Sequence, residues 1–111
     1  MNMMHARRAY QQTRQAMAPR EQEADVFRRV TGALKVALAQ EGIVRARAIA
    51  DNRRLWIALE ASIRHPANQL PHQTKVTMLS VGRAVLREME GTEPDLGFLI
   101  EVNEQVAEGL R

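Results

Sequence analysis

The sequence predicts an all-α fold: a single small bundle of about four or five amphipathic helices spanning residues 1–111. Three observations predict it. Apolar residues recur at helical spacing along nearly the whole chain, and no segment alternates with a period of two. Aromatic residues make up only 4% of the sequence while Ala, Leu, Val and Met dominate, a composition suited to helix faces rather than strands. Proline and glycine fall between the periodic runs, where helices start and stop. A chain of 111 residues is long enough for one compact core and short enough for one domain.

The first periodic segment, Met3 to Met17, carries a thin stripe of Met3, Ala6, Tyr10, Thr13 and Met17. Residues 1–18 are therefore expected to be a loosely docked helix, or one that folds only on a partner. The second helix is predicted from Arg20 to Glu41. Pro19 suits its start, and Glu21, Glu23 and Asp25 lie where the helix dipole favours acids. Val26, Val30, Leu34 and Ala37 form its stripe, widened by Phe27 and Leu38, and Gly42 is the expected C-terminal cap.

The third helix is predicted from Val44 to Arg64, because His65 precedes Pro66 and that arrangement disfavours helical backbone. Ile49, Trp56, Leu59 and Ile63 share one face. A connection from Pro66 to Leu70 follows, and Pro71 fits the first turn of a fourth helix that stops at Gly91. Its stripe is Met78, Gly82, Val85, Leu86 and Met89. Glycine at such a position costs ~1 kcal/mol against alanine, which a close helix–helix crossing at Gly82 would offset. Pro94 opens a fifth helix with Thr92 as a cap. Leu96, Leu99, Val106 and Leu110 form its apolar face, and Glu101, Glu104 and Glu108 its wet one. Short connections favour antiparallel neighbours.

Two asparagines interrupt this pattern. At about 100° per residue, Asn52 falls between Leu59 and Trp56, and Asn103 falls among Leu99, Val106 and Leu110. A buried amide without partners costs roughly 1–3 kcal/mol, so each must be hydrogen-bonded. They are expected to bond each other or to hold the loop from Asn68 to Pro71; the alternative is that each sits at a wet edge of its stripe. Trp56, the sole tryptophan, reads as core, and alternatively as an interface anchor. Arg54 points away from the Trp56 face. Arg53 borders that face, near Glu60, and is expected to lay its stem over the core edge and pair with a carboxylate. A sharper alternative makes Arg47, Arg53 and Arg54 a contact patch for protein or RNA, against the ordinary reading of solvated charge.

No residues point to catalysis, a cofactor or a metal. His5, His65 and His72 lack a third ligand at useful spacing. There is no phosphate-cradling glycine loop and no nucleophile elbow. The carboxylates of the last helix are spaced as a solvated face rather than an acid/base pair. The expectation is a non-enzyme. The chain has no cysteine, which suits the cytoplasm, and no apolar run approaches the ~20 residues of a membrane span. Arg7-Arg8 is followed by no apolar stretch, so a secretion signal is not expected. The net charge is +3, unevenly spread. Residues 1–20 carry four arginines and no acid, residues 45–66 five arginines against two acids, and residues 92–111 one arginine against five acids. The acidic end can pair with the chain's own basic helix or with a basic partner.

Three phrases occur in a specific order: Asn52-Arg53-Arg54-Leu55-Trp56, then Asn68-Gln69-Leu70-Pro71, then Leu99-Ile100-Glu101-Val102-Asn103. With Ala9-Tyr10 before them and a helix closing at Gly91, they resemble the FlaF family of small flagellar regulators over nearly the whole chain. Met1 to Arg8 depart from the pattern. The resemblance implies a cytoplasmic factor that binds flagellin and promotes its synthesis or export, in the manner of a chaperone, with or against the translational regulator FlbT. It carries over no catalytic residue. The candidate structural or partner-binding residues are Asn52, Arg53, Arg54, Trp56, Asn68, Leu70, Pro71 and Asn103. A small bundle can take an amphipathic flagellin helix into a groove, with residues 1–18 as a lid that it displaces. Met17, Met78 and Met89 would let such a groove repack, or are ordinary core filling. The alternative function is an RNA-binding regulator of the flagellin message, drawing on the basic segments, though stacking aromatics are sparse. A third reading is a subunit that works only in complex with FlbT.

Overall fold

The computed structural model describes residues 19–109. Four helices follow one another: α1 (Pro19–Ala37), α2 (Ile43–Arg64), α3 (His72–Glu90) and α4 (Leu96–Gly109). No strand occurs among the described residues. The predicted segment Met3 to Met17, His5 and Leu110 lie outside them.

Packing runs in series. α4 lies along α1, α1 along α2, and α2 along α3. The core draws Phe27, Leu34 and Ala37 from α1, Ala48 and Trp56 from α2, Val85 and Met89 from α3, and Leu96 and Leu99 from α4. Trp56 is 1% exposed and stands at its centre. Phe27 meets its ring edge-on, with centroids 5.9 Å apart and planes at 86°, an arrangement the ring quadrupoles favour. Gly82 lies against the Trp56 ring as well. A Cβ built there would sit 3.4 Å from Trp56 Cε3, an ordinary van der Waals contact, so α3 packs closely on the indole and an alanine methyl would still fit.

Three boundaries differ from the sequence expectation. α1 ends at Ala37 rather than Glu41. Ala37 is its last buried side chain, and Leu38 beyond it is 55% exposed. Without core contact the backbone tightens into i→i+3 bonds, Ala39 N to Val36 O at 3.4 Å and Gln40 N to Ala37 O at 3.0 Å. Gly42 therefore does not cap α1. It precedes α2 with a φ of 66° and reverses the chain there. Pro71 sits just before α3 in extended conformation, rather than in its first turn. At α4 the cap is Asp95, not Thr92: Asp95 Oδ1 accepts from the Phe98 amide at 3.1 Å. Glu88 Oε1 accepts from the Asp95 amide at 2.9 Å, tying the loop back to α3.

The stripe of α1 is also rotated from the predicted one. Ala24, Phe27, Thr31, Leu34 and Ala37 are buried, while Val26 is exposed. Thr31 was not among the expected core residues, and its Oγ1 is buried with no hydrogen-bond partner. An unmade hydrogen bond of this kind costs about 1–3 kcal/mol. Thr31→Val keeps the branched shape and removes the orphan hydroxyl, so it is expected to raise the unfolding free energy by about 1 kcal/mol in a urea titration. A lowered midpoint would contradict the orphan assignment.

Candidate functional site

The two asparagines meet. Asn52 on α2 and Asn103 on α4 are fully buried, and Asn103 Nδ2 donates to Asn52 Oδ1 at 2.7 Å. Trp56 Nε1 donates to Asn103 Oδ1 at 2.9 Å. Asn52 Nδ2 donates onward to the Met89 thioether on α3 at 3.4 Å. The direction of the chain follows from one fact: indole N–H can only donate. Asn103 must turn its oxygen to Trp56, so its amino group faces Asn52, which must then present its own oxygen. The network joins α2, α3 and α4. It links α4 to α2 although α4 packs chiefly along α1.

Arg53 is not paired with a carboxylate. Its Nη2 donates to the Met89 carbonyl at 3.1 Å, one of the last-turn carbonyls of α3 that lack an intrahelical donor. A cation at that helix end also suits the dipole. Glu60 instead accepts from Arg64 at 3.1 Å. Arg54 is exposed and pairs with Asp51 at 3.0 Å. Arg47 is exposed as well. The three arginines of the proposed patch thus differ in role, since Arg53 is turned onto α3.

Asn68 ties the α2–α3 loop to both flanking helices. Its Nδ2 donates to Ser62 O at 3.0 Å, taking up a carbonyl at the end of α2. Its Oδ1 accepts from the Leu70 amide at 3.0 Å, setting the chain into Pro71 and α3. Its own carbonyl accepts from Lys75 Nζ at 2.8 Å. Asn52 and Asn103 take no part in this loop.

The loop forms one wall of the main concavity. α3 and α4 occupy the two ends of the packing series and do not lie along each other. A short connection, tied by Glu88 to the Asp95 amide, joins the end of α3 to the start of α4, and the Asn–Met89 network links the end of α3 to the middle of α4 through Asn52. Away from that junction they flank an open apolar groove of about 590 Å³. Leu59 and Ile63 of α2 form its floor; Met78 and Val81 of α3 face Val102 and Val106 of α4 across it. Leu70 and Pro71 line it from the loop, and Glu23 near the start of α1 lines it too. A smaller apolar trough of about 320 Å³, lined by Val26, Phe27, Leu55 and Ala58, lies beside Glu23 and shares Leu59 with the groove.

Of the sequence candidates, Asn68, Leu70 and Pro71 line the groove, while Asn52, Trp56 and Asn103 lie in the core beneath it. Reading the sequence missed Val81 and Val102. They fall beside the buried stripes of their helices, and that off-stripe apolar character was the available signal. Met78 is half-buried in the groove, whereas Met89 is core. A further set of exposed apolar residues, Val36, Leu38, Ile43 and Val44, surrounds the α1–α2 turn. Among the described residues, no three His, Cys, Asp or Glu side chains gather to hold a metal ion. No described helix is long and apolar enough to cross a membrane.

In comparison with known families, the family model described as flagellar protein FlaF matches residues 6–110. No curated protein and no solved structure matches the chain.

Proposed function

The chain belongs to the FlaF family of flagellar proteins and so has a role in flagellar function; from that premise we propose that it is a non-enzymatic binding factor for flagellin, seating an amphipathic flagellin helix in the groove between α3 and α4. The observation that carries this reading is the groove itself. It is apolar, open along one side, and walled by two helices, the form in which helix-in-groove recognition operates. Burial of the apolar stripe of an amphipathic flagellin helix would keep that helix soluble for export. Met78 supplies an adaptable wall, suited to helices that differ in detail. Binding flagellin in the cytoplasm would also couple the protein to translation control by FlbT.

The test is copurification with flagellin at low and high salt. Apolar burial predicts that the complex survives high salt. A complex that forms only with flagellin leader RNA, and weakens steeply with salt, would overturn the reading in favour of RNA binding. Folding that requires added FlbT would favour the obligate-complex reading.

A further inference from the structure

We propose that the outer side of the α2–α3 seam is a second interaction surface, which takes an acidic, partly apolar segment of a partner protein. A shallow hollow of about 280 Å³ opens there. Arg64 of α2 lines it with Leu79, Arg83, Leu86 and Arg87 of α3. The three arginines are exposed and the two leucines half-buried. Glu60 and Glu90 line the hollow too, and Glu60 Oε1 accepts from Arg64 Nε at 3.1 Å. Arg83 and Arg87 have no hydrogen bond or ion pair among the described residues.

Two observations set this hollow apart from an ordinary solvated face. A hollow of similar size, about 320 Å³, lies between α1 and α4, but its cations are paired, Arg28 with Asp25 and Lys35 with Glu104. Arg83 and Arg87 instead stand four residues apart on one helix, where like charges repel and weaken it. An incoming carboxylate would relieve that repulsion, and the planar guanidinium fork can hold it through two parallel hydrogen bonds. Apolar surface surrounds the charges. Beside Leu79 and Leu86, the exposed Ile57 lies one turn before Glu60 and the exposed Val76 one turn before Leu79. Nucleic acid fits less well. Glu60 and Glu90 would face its phosphates, and no aromatic side chain lines the hollow for a base to stack on.

The hollow is distinct from the groove. Leu59, Ile63 and Met78 line the groove, whereas their sequence neighbours Glu60, Arg64 and Leu79 line the hollow, each turned about 100° away on its helix. The buried Trp56, Ile63 and Gly82 lie along the seam between the two helices. The inference therefore does not depend on what occupies the groove.

The probe is a fluorescein-labelled helical peptide of leucine and glutamate in an alanine host, titrated with the full-length chain and followed by fluorescence anisotropy. Versions with glutamine or lysine in place of glutamate, and a single-stranded RNA oligonucleotide, are titrated alongside. The glutamate peptide is expected to bind at least about tenfold more tightly than the glutamine peptide. Arg83→Glu/Arg87→Glu is expected to weaken the glutamate peptide at least about tenfold and to prefer the lysine peptide instead. Arg29→Glu/Arg47→Glu, at exposed positions elsewhere, and Met78→Asp/Val106→Asp, in the groove, are expected to stay within about twofold. A thermal melt of each variant separates lost binding from lost fold. Failure of the wild-type chain to distinguish glutamate from glutamine would overturn the proposal. So would an equal loss in Arg29→Glu/Arg47→Glu, which would show diffuse attraction, or a loss confined to the groove variant. RNA binding tighter than that of the glutamate peptide, and abolished by Arg83→Glu/Arg87→Glu, would assign the hollow to nucleic acid and overturn it as well.

Discussion

Asn103→Leu is expected to lower the unfolding free energy by about 2–5 kcal/mol. The reason is direction. Asn103 is the only group that both accepts from the Trp56 indole at 2.9 Å and donates to Asn52 at 2.7 Å. A leucine of similar volume leaves a buried N–H without an acceptor and a buried carbonyl without that donor. Each orphan costs about 1–3 kcal/mol, against a total stability of about 5–15 kcal/mol for a domain. Asn52→Leu removes one of those orphans when combined with Asn103→Leu. The double variant is therefore expected to lose less than the sum of the two singles, with a coupling of about 1–2 kcal/mol in a double-mutant cycle followed by urea denaturation. Strict additivity would show that the two amides are not joined. A loss below about 0.5 kcal/mol for Asn103→Leu would place it at a wet surface.

Met78→Asp/Val106→Asp is expected to weaken flagellin binding at least about a hundredfold while the bundle stays folded. Both side chains are half-buried on opposite walls of the groove and outside the fully buried core. Two carboxylates there would have to be desolvated under an apolar helix stripe, a cost the free protein does not bear because the groove is open to water. Val36→Asp, on the exposed far part of α1, provides the control and is expected to leave affinity within about twofold, since a change outside an interface alters little of its binding energy. Titration of flagellin into each variant, with a thermal melt of each, separates lost binding from lost fold. Retained affinity in the groove variant would remove the groove from the account.

Much of the helical layout was legible because it follows from local rules. The end of α2 before Pro66, the glycine stop of α3 and the apolar faces of α3 and α4 all read directly from spacing and punctuation. The pairing of Asn52 with Asn103 was legible as one of three options, beside a bond to the Asn68–Pro71 loop and a wet edge, since a polar residue inside an apolar stripe demands a partner but does not name it. The errors have a common cause. The end of α1, the burial of Thr31 and the inward turn of Arg53 depend on which neighbouring helix lies where, and periodicity along one helix carries no such information. The stripe of α1 rotated towards Phe27 because Phe27 packs on Trp56, a contact across 29 positions of sequence. The groove was hardest to see. Val81 and Val102 lie beside their stripes, and only the divergence of α3 from α4 turns them into facing walls.

Photo-crosslinking from single cysteines tests the central claim most directly, because it reports contact whatever occupies the groove beforehand. Thr74→Cys and Gln105→Cys sit on opposite rims; Arg54→Cys lies on the exposed side of α2. Each carries a thiol-linked benzophenone and is irradiated with flagellin. The account predicts capture of a terminal flagellin helix from both rim positions and none from position 54. Capture from position 54 alone, or equal capture from all three, would contradict it.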